Sequence, residues 1–498
     1  MGSRRLVLTC VAACSAAALV PGPGASAVTG VTAVTAVTGQ LATPSAAIFP
    51  AADPAAAPAA TTPAVTAQAV LNRLTTAQRI GQLFMVGGSV KGLPTATRTA
   101  ISRYHVGNLI LTGRTTAGAA PVRALTAGAQ SMTTNAATSA VPLLVASDQE
   151  GGLVQVLQGP WFSRMPTALT QGTFTDAGLT RSATVWGSQV LRAGVNVNLA
   201  PVMDTVSAAF APLNAPIGAL QREFGHTPAV VAEKGSAFVR GMRSTGMALT
   251  AKHFPGLGRV TGNTDTTAGV TDRVTTRTSP DIGPFRSAVG AGAQLLMVSS
   301  AIYSRIDAAR PAVFSPTVIT GMIRGDLRFG GVVISDDLGA ARAVQAWSPG
   351  TRAVNFLNAG GDVVLTVDPT VVPAMVNAVT ARVTTNATFR ARVNAAALRV
   401  LTVKAANGLL GTRIAVTGSL STSTISSLQR WLGVTRTGTL GSATIRALQV
   451  RVNVPATGVW GSRSMGALQS YLGIAHDGAT TWNTRTVRQL QSYLNTQL

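Results

Sequence analysis

The chain has 498 residues, 46% of them apolar, and carries 40 Lys+Arg against 17 Asp+Glu for a formal charge of +23 at pH 7. That length allows about three domains at ~150 residues each, and the apolar fraction excludes a disordered chain. The cations are nearly all Arg, with lysine only at Lys91, Lys234, Lys252 and Lys404. Such an excess favours a polyanionic neighbour, but without a dense basic cluster or an aromatic-interleaved basic stripe it argues against specific nucleic-acid binding.

Arg4 and Arg5 precede an apolar run from Leu6 to Val20, and Ala25-Ser26-Ala27 offers a small-residue cleavage site. Residues 1–27 therefore read as a secretory signal peptide. The only cysteines, Cys10 and Cys14, lie inside it, so the mature chain is expected to hold no disulfide. Val11-Ala12-Ala13-Cys14 also resembles a lipoprotein box, which ranks lipid anchoring through Cys14 second to plain secretion. No later segment has the ~18 uninterrupted apolar residues of a spanning helix. Residues 28–67 repeat Ala, Thr, Val and Pro with almost no charge, which predicts a spacer.

A globular region follows over 68–410. Eight short apolar runs recur with helix-sized gaps: Leu83–Val86, Val106–Leu111, Leu143–Ala146, Val195–Pro201, Met247–Thr250, Leu295–Val298, Val332–Ile334 and Val363–Thr366. Amphipathic stretches such as Pro228–Arg243 and Ser315–Leu327 fill the gaps. Strand and helix alternating at this pace predict an α/β fold, a (β/α)8 TIM barrel, with a doubly wound open sheet as the alternative. Over 415–498 the character changes. Leu-Gln pairs recur at Leu428-Gln429, Leu448-Gln449, Leu468-Gln469 and Leu490-Gln491, with Gly-containing turns between them. These predict a small all-α repeat domain packed as one bundle.

Ionisable residues stand just past the apolar runs, where a barrel presents its chemistry. Asp148 and Glu150 follow the third run, Asp204 the fourth, Lys252 and His253 the fifth, and Asp336 and Asp337 the seventh. Asp368 follows the eighth and reads as a helix N-cap. Two carboxylates flanking a sugar are the minimum equipment for glycoside hydrolysis. Asp336, in GVVISDDLG, directly follows a buried strand and is the candidate nucleophile. Successive strand residues point to opposite sides, so only one of Asp336 and Asp337 is expected to face the pocket. The proton donor is Asp265 or His253, both in the stretch KHFPGLGRVTGNTD that starts at Lys252. His105, His226, His253 and His476 are scattered and there is no metal-ligand spacing, so neither metal nor cofactor is expected.

From about Leu71 to Leu410 the chain resembles a family 3 glycoside hydrolase of the single-barrel bacterial β-N-acetylhexosaminidase branch. The resemblance rests on IGQLFMVG at Ile80, SDQEGG at Ser147, NLAPVMD at Asn198, REFG at Arg222, KHFPG at Lys252 and GVVISDDLG at Gly331. It implies that Asp336 is the nucleophile of a retaining mechanism and that Asp148, Arg222, Lys252 and His253 hold the sugar. The chain departs from the branch at four places. Leu257 stands for the second His of KHFPGHG, and Asn263-Thr264-Asp265 stands for the DSH whose His is the acid/base. Leu153 and Val156 replace two arginines, and Met297-Val298-Ser299-Ser300 replaces MPAH. An Asp is a competent proton donor, which keeps Asp265 as the second catalytic candidate; a sugar-binding barrel without an acid/base, and a β-glycosidase for another sugar, are the alternatives.

The C-terminal units are similar to the small helical peptidoglycan-binding domain, best at Thr457–Gly461 and Ala467-Leu468-Gln469. Together the two resemblances imply a secreted, cell-wall-associated glycosidase. Its partners would be peptidoglycan or other β-linked amino-sugar glycans, with anionic wall polymers attracted by charge.

Overall fold

The computed structural model describes residues 63–410, 414 and 416–497. The predicted signal peptide, both cysteines and most of the predicted spacer lie outside the described residues. The last five spacer residues are a correction: helix α1 (Pro63–Arg73) begins there, and Ala67, Val70 and Leu71 are buried. Small uncharged residues read as linker, but Pro63 suits a first helical turn and the apolar face four residues on has a core to join.

All eight apolar runs form parallel strands: β1 (Phe84–Ser89), β2 (Asn108–Thr112), β3 (Leu144–Ser147), β4 (Val197–Asn198), β5 (Ala248–Phe254), β6 (Leu295–Val298), β7 (Val332–Ser335) and β8 (Val364–Thr366). Their spatial order is β7-β6-β5-β4-β3-β2-β1-β8. The remaining edge between β7 and β8 is joined by a parallel bridge, Ile334 to Val363, and by the Ser335 N–H donating to Val363 O at 3.0 Å. The result is a nearly closed, TIM-like barrel.

Alternation along the strands splits the apolar residues into two layers. Met85, Ile110, Leu144, Ala146, Val197, Ala248, Leu295, Val332 and Leu365 pack as one inner cluster. Phe84, Leu109, Val145, Leu249, Leu296, Val333 and Val364 join the larger cluster under the surrounding helices. Among those helices are α2 (Asp176–Arg192) and α3 (Pro228–Arg243). The second is capped as its sequence demands: Thr227 accepts from the Val230 N–H, Pro228 opens the helix, and Arg240 and Arg243 occupy its last turn. The predicted helix Ser315–Leu327 forms as the π-helical stretch Thr317–Asp326. Helix α4 (Ala387–Ala406) sends Val400 and Val403 into the inner cluster. Its Lys404, fully buried, donates to Gln82 Oε1 and Gly107 O at the entry to the first two strands.

The C-terminal region folds as helices α5 (Thr422–Leu432), α6 (Ser442–Arg451), α7 (Ser462–Tyr471) and α8 (Thr484–Gln497). Leu428, Leu448, Leu468 and Leu490 share one apolar cluster. Each following glutamine is buried and accepts the backbone N–H of a turn: Gln429 from Gly438, Gln449 from Gly458 and Gln469 from Asp477. Gln491, on the last helix, accepts from Gly418 ahead of the first and donates to Thr424 Oγ1 at 2.9 Å. The chain of glutamine contacts thus closes on itself. Gln491→Ala takes the acceptor from the half-buried Gly418 N–H and one of the partners from the Thr424 hydroxyl, at a cost on the order of 1 kcal/mol. Scanning calorimetry is expected to show the C-terminal helices melting earlier while the barrel transition stays in place. Among the described residues no helix is long and apolar enough to cross a membrane.

Candidate active site

The inward-facing ladder of the barrel changes from apolar to polar as the strands reach their C-terminal ends. On β7, Val332 and Ile334 face inward and Asp336 is the next position on that side; on β3, Leu144 and Ala146 lead to Asp148. Ile110, Leu199, Met297 and Leu365 floor a cavity of about 430 Å³ there. Asp148, Arg222, Lys252, His253, Asp265 and Asp336 all line it, so every predicted site residue is brought to one place.

Three of these side chains form a charge cluster around Glu150. Lys252 Nζ lies 2.6 Å from both Asp148 Oδ1 and Glu150 Oε1. Arg222 grips Glu150 with both ends of its fork, at 2.8 and 2.9 Å, and donates a further bond to Pro216 O. Burial alone would raise the Glu150 carboxyl, but Arg222 and Lys252 outweigh it and hold it down at about 2. Burial would likewise discharge Lys252, yet Asp148 and Glu150 keep its ammonium above the ordinary value. Glu150, Arg222 and Lys252 therefore stay charged.

That pairing carries stability with a defined pH dependence. The folded state holds Glu150 below its ordinary 4.5, so the unfolded chain binds the extra proton as pH falls. The contribution, on the order of 3 kcal/mol, is complete above about pH 4.5 and is lost toward pH 2. Glu150→Ala is expected to cost about 3–5 kcal/mol, because it leaves the Arg222 guanidinium without its carboxylate and Lys252 with Asp148 as its one remaining acid. Urea unfolding of the variant at pH 7, beside a wild-type pH series, measures both effects.

His253 is fixed by a different acid. Asp204 is fully buried and accepts from His253 Nδ1 at 2.7 Å, from the Leu257 N–H at 2.8 Å and from the His253 N–H at 3.3 Å. A proton on Nδ1 leaves Nε2 as the ring atom available to a ligand. Beyond it the loop is pinned along its length. Tyr303 Oη donates to Gly256 O, and Asn214 Nδ2 donates to both Leu257 O and Val260 O. At the far end, the Arg342 N–H donates to Asp265 O and the Ala343 N–H to Thr264 O, docking the loop on the segment that follows Asp336.

Asp265 is exposed as a residue, but its carboxyl borders the cavity. Partial removal from water and the Asp336 charge push it up to about 6, against the opposing pull of His253 and Arg222. Asn263 accepts the Asp265 backbone N–H at 2.9 Å, so it shapes the loop. Against the expectation that only one of the pair would face the pocket, both Asp336 and Asp337 border the cavity, because β7 ends at Ser335 and strand parity no longer governs the side chains beyond it. Asp337 spends its carboxylate on the N–H groups of Gly339, Ala340, Ala341 and Val367. Asp368 caps the turn Pro369–Val371, accepting from Thr370 N.

The family model for the glycosyl hydrolase family 3 N-terminal domain matches residues 75–403. The chain belongs to glycosyl hydrolase family 3. A Stenotrophomonas maltophilia K279a protein named β-hexosaminidase is 38% identical over 249 residues, covering 48% of this chain and 72% of that protein. The crystal structure of a β-N-acetylhexosaminidase from Beutenbergia cavernae is 48% identical with a TM-score of 0.66, covering 66% of this chain and 98% of that one. A family 3 β-N-acetylglucosaminidase from Paenibacillus sp. FPU-7 is 29% identical with a TM-score of 0.60, covering 69% and 64%.

Within this family 3 barrel, two residues carry more of the site than the sequence assigned them. Glu150 and Asp204 stand out only as strand-end acids, whereas the structure makes them the partners that fix Lys252, Arg222 and His253. The Asp148-x-Glu150 spacing was a usable signal for the first, since it puts both carboxylates on one side of an extended chain. Leu153, in place of a family arginine, is exposed, and Val156, in place of the other, is buried; Val154 is the residue of that hairpin on the cavity wall.

Proposed function

We propose that this family 3 protein hydrolyses terminal β-linked N-acetylglucosamine-type sugars with retention of configuration. The observation that carries the reading is a pair of carboxyls on one cavity whose environments differ: Asp336 at a strand end, and Asp265 pushed up to about 6 by partial removal from water and by the Asp336 charge. Two titratable groups set apart in this way divide the roles of a glycosidase. Asp336 attacks the anomeric carbon while Asp265 gives its proton to the departing oxygen. Asp265, now ionised, takes a proton from the water that attacks the same carbon and releases Asp336. Asp148, Arg222, Lys252 and the Nε2 of His253 hold the sugar hydroxyls. The β-hexosaminidase names of the similar proteins support the choice of sugar.

The direct experiment follows release from an aryl β-N-acetylglucosaminide and the anomer first formed, by NMR. Turnover with a β product supports the proposal; failure on every β-glycoside in a panel, with sugar still bound in calorimetry, gives the second reading. That reading, a sugar-holding barrel without an acid/base, is favoured by Asn263, whose side chain is spent on the loop backbone and leaves Asp265 without the carboxylate partner of the family loop. Preference for another aryl β-glycoside in the panel would assign a different sugar.

Secretion and attachment to the cell wall belong to the same proposal. Residues 415–498 carry seven arginines against one acid, Asp477, and their turns resemble peptidoglycan-binding units. Co-sedimentation with isolated cell walls, falling as salt rises, is the expected behaviour of a wall-held cationic protein.

A further inference from the structure

A second cavity lies behind the loop that carries Asp265. Its volume is about 520 Å³, within the ~300–1,000 Å³ range of small-molecule sites. The two cavities stand back to back across two crossing segments. Asp204 anchors His253 of the first, while its neighbour Thr205 lines the second; Leu257 lines the first, while Gly258 and Arg259 line the second. The segments touch so closely that a Cβ on Gly258 would meet Thr205 O at 1.8 Å.

The second cavity is polar in a particular way. Thr205 borders it at 8% exposure, with its Oγ1 itself enclosed by protein. His226, on the same wall, holds its Nδ1 against Val206 O at 3.0 Å, which leaves Nε2 as an acceptor in the neutral ring. Arg259 is already paired, its Nε 2.9 Å and its Nη2 2.8 Å from Asp281 Oδ2. A paired guanidinium offers little net charge to an anion but still leaves N–H groups for hydroxyls. Phe210 and the exposed Val274 add apolar surface. Imidazole acceptor, neutralised ion pair and an aromatic face together suit a neutral polyhydroxylated ring with one apolar side.

We infer that this cavity is a second carbohydrate site, taking a neutral pyranose of the glycan on which the barrel acts. The inference deepens the proposed function, on which the choice of N-acetylglucosamine as probe rests. Because the wall is shared, a sugar here would lie against the back of the loop that positions His253 and Asp265.

The test uses the full chain carrying Asp336→Ala, so binding is read without turnover. Crystals soaked in N-acetylglucosamine are expected to show a ring in each cavity, the second within hydrogen-bond distance of His226 Nε2. In solution, ligand-observed NMR titration is expected to resolve two sites. Val274→Asp should weaken one of them about tenfold with the other site and the melting temperature unchanged, and Phe210→Ala, which also trims a side chain packed on the core, should weaken the same one with the other site unchanged. Sugar in the active-site cavity alone, two sites indifferent to both variants, or inorganic phosphate occupying the second cavity in place of sugar would overturn the inference. The readouts separate the two readings: second-site binding in a protein whose wild type turns over no β-glycoside sustains this site and sinks the hydrolase proposal. Turnover with one bound sugar does the reverse.

Discussion

Asp336→Ala is expected to lower kcat/KM on an aryl β-N-acetylglucosaminide by on the order of 10⁴-fold or more, about 5 kcal/mol of transition-state stabilisation, with little change in unfolding temperature. The fold loses little because Asp336 is only partly buried and its side chain accepts a single protein hydrogen bond, from its neighbour's N–H at 2.9 Å. Its backbone N–H still reaches Val298 O. The adjacent acid makes the control. Asp337→Ala removes the acceptor for three backbone N–H groups in the turn after β7 and for that of Val367 after β8, so its first effect is on stability, with activity falling as the turn loosens. A nucleophile also has a stereochemical signature. With the attacking carboxylate gone, added azide can enter the vacant face and yield an α-glycosyl azide from a β-glycoside. A variant that keeps wild-type turnover, or gives only a β-azide, would remove Asp336 from this role.

The barrel was legible because each strand is a short apolar run buried on both faces, and because the helices between them have the apolar period of an amphipathic surface. Alternation served less well for the Asp336–Asp337 pair: β7 ends at Ser335, and both acids border the cavity, Asp337 with its carboxylate taken up by backbone N–H groups. The hidden parts are those whose meaning lies in a distant partner. Glu150 pairs with Arg222 72 positions away, and Asp204 with His253 49 positions away; an isolated acid at a strand end looks the same whether it binds substrate or braces a neighbour. Asn214 gives no hint in sequence that it will hold Leu257 O and Val260 O and so set the course of the loop. In the C-terminal region the recurring glutamine was visible, but not that Gln491 would return to the turn at Gly418. The start of α1 was missed for the opposite reason, because its residues have no local signature until the core they pack against exists.

Asp265→Asn is expected to reduce kcat/KM by about 10²–10⁴-fold and, more tellingly, to change the shape of its pH dependence. In the first step as proposed, Asp265 acts as an acid and must carry its proton. With the carboxyl pushed up to about 6, the wild-type profile should fall as pH rises through that value, because the ionised form has no proton to give. An asparagine neither holds nor loses that proton, so the fall near pH 6 should vanish while the rate at low pH drops. The loss should also depend on the leaving group. A nitrophenolate departs with little protonation, so release from such a substrate is least affected, whereas an alkyl or sugar leaving group needs the proton and suffers most. The sensitivity arises from the docked loop: backbone bonds from Arg342 and Ala343 hold Asp265 and Thr264 beside the Asp336 segment, and the Asp336 charge is part of what keeps the Asp265 proton bound. Asp336→Ala should therefore lower the Asp265 carboxyl, which a ¹³C-carboxyl NMR titration reads directly. If the alkaline fall near pH 6 persists in Asp265→Asn, the proton comes from another group, and His253, locked by Asp204 on Nδ1 with Nε2 turned to ligand, becomes the donor to test.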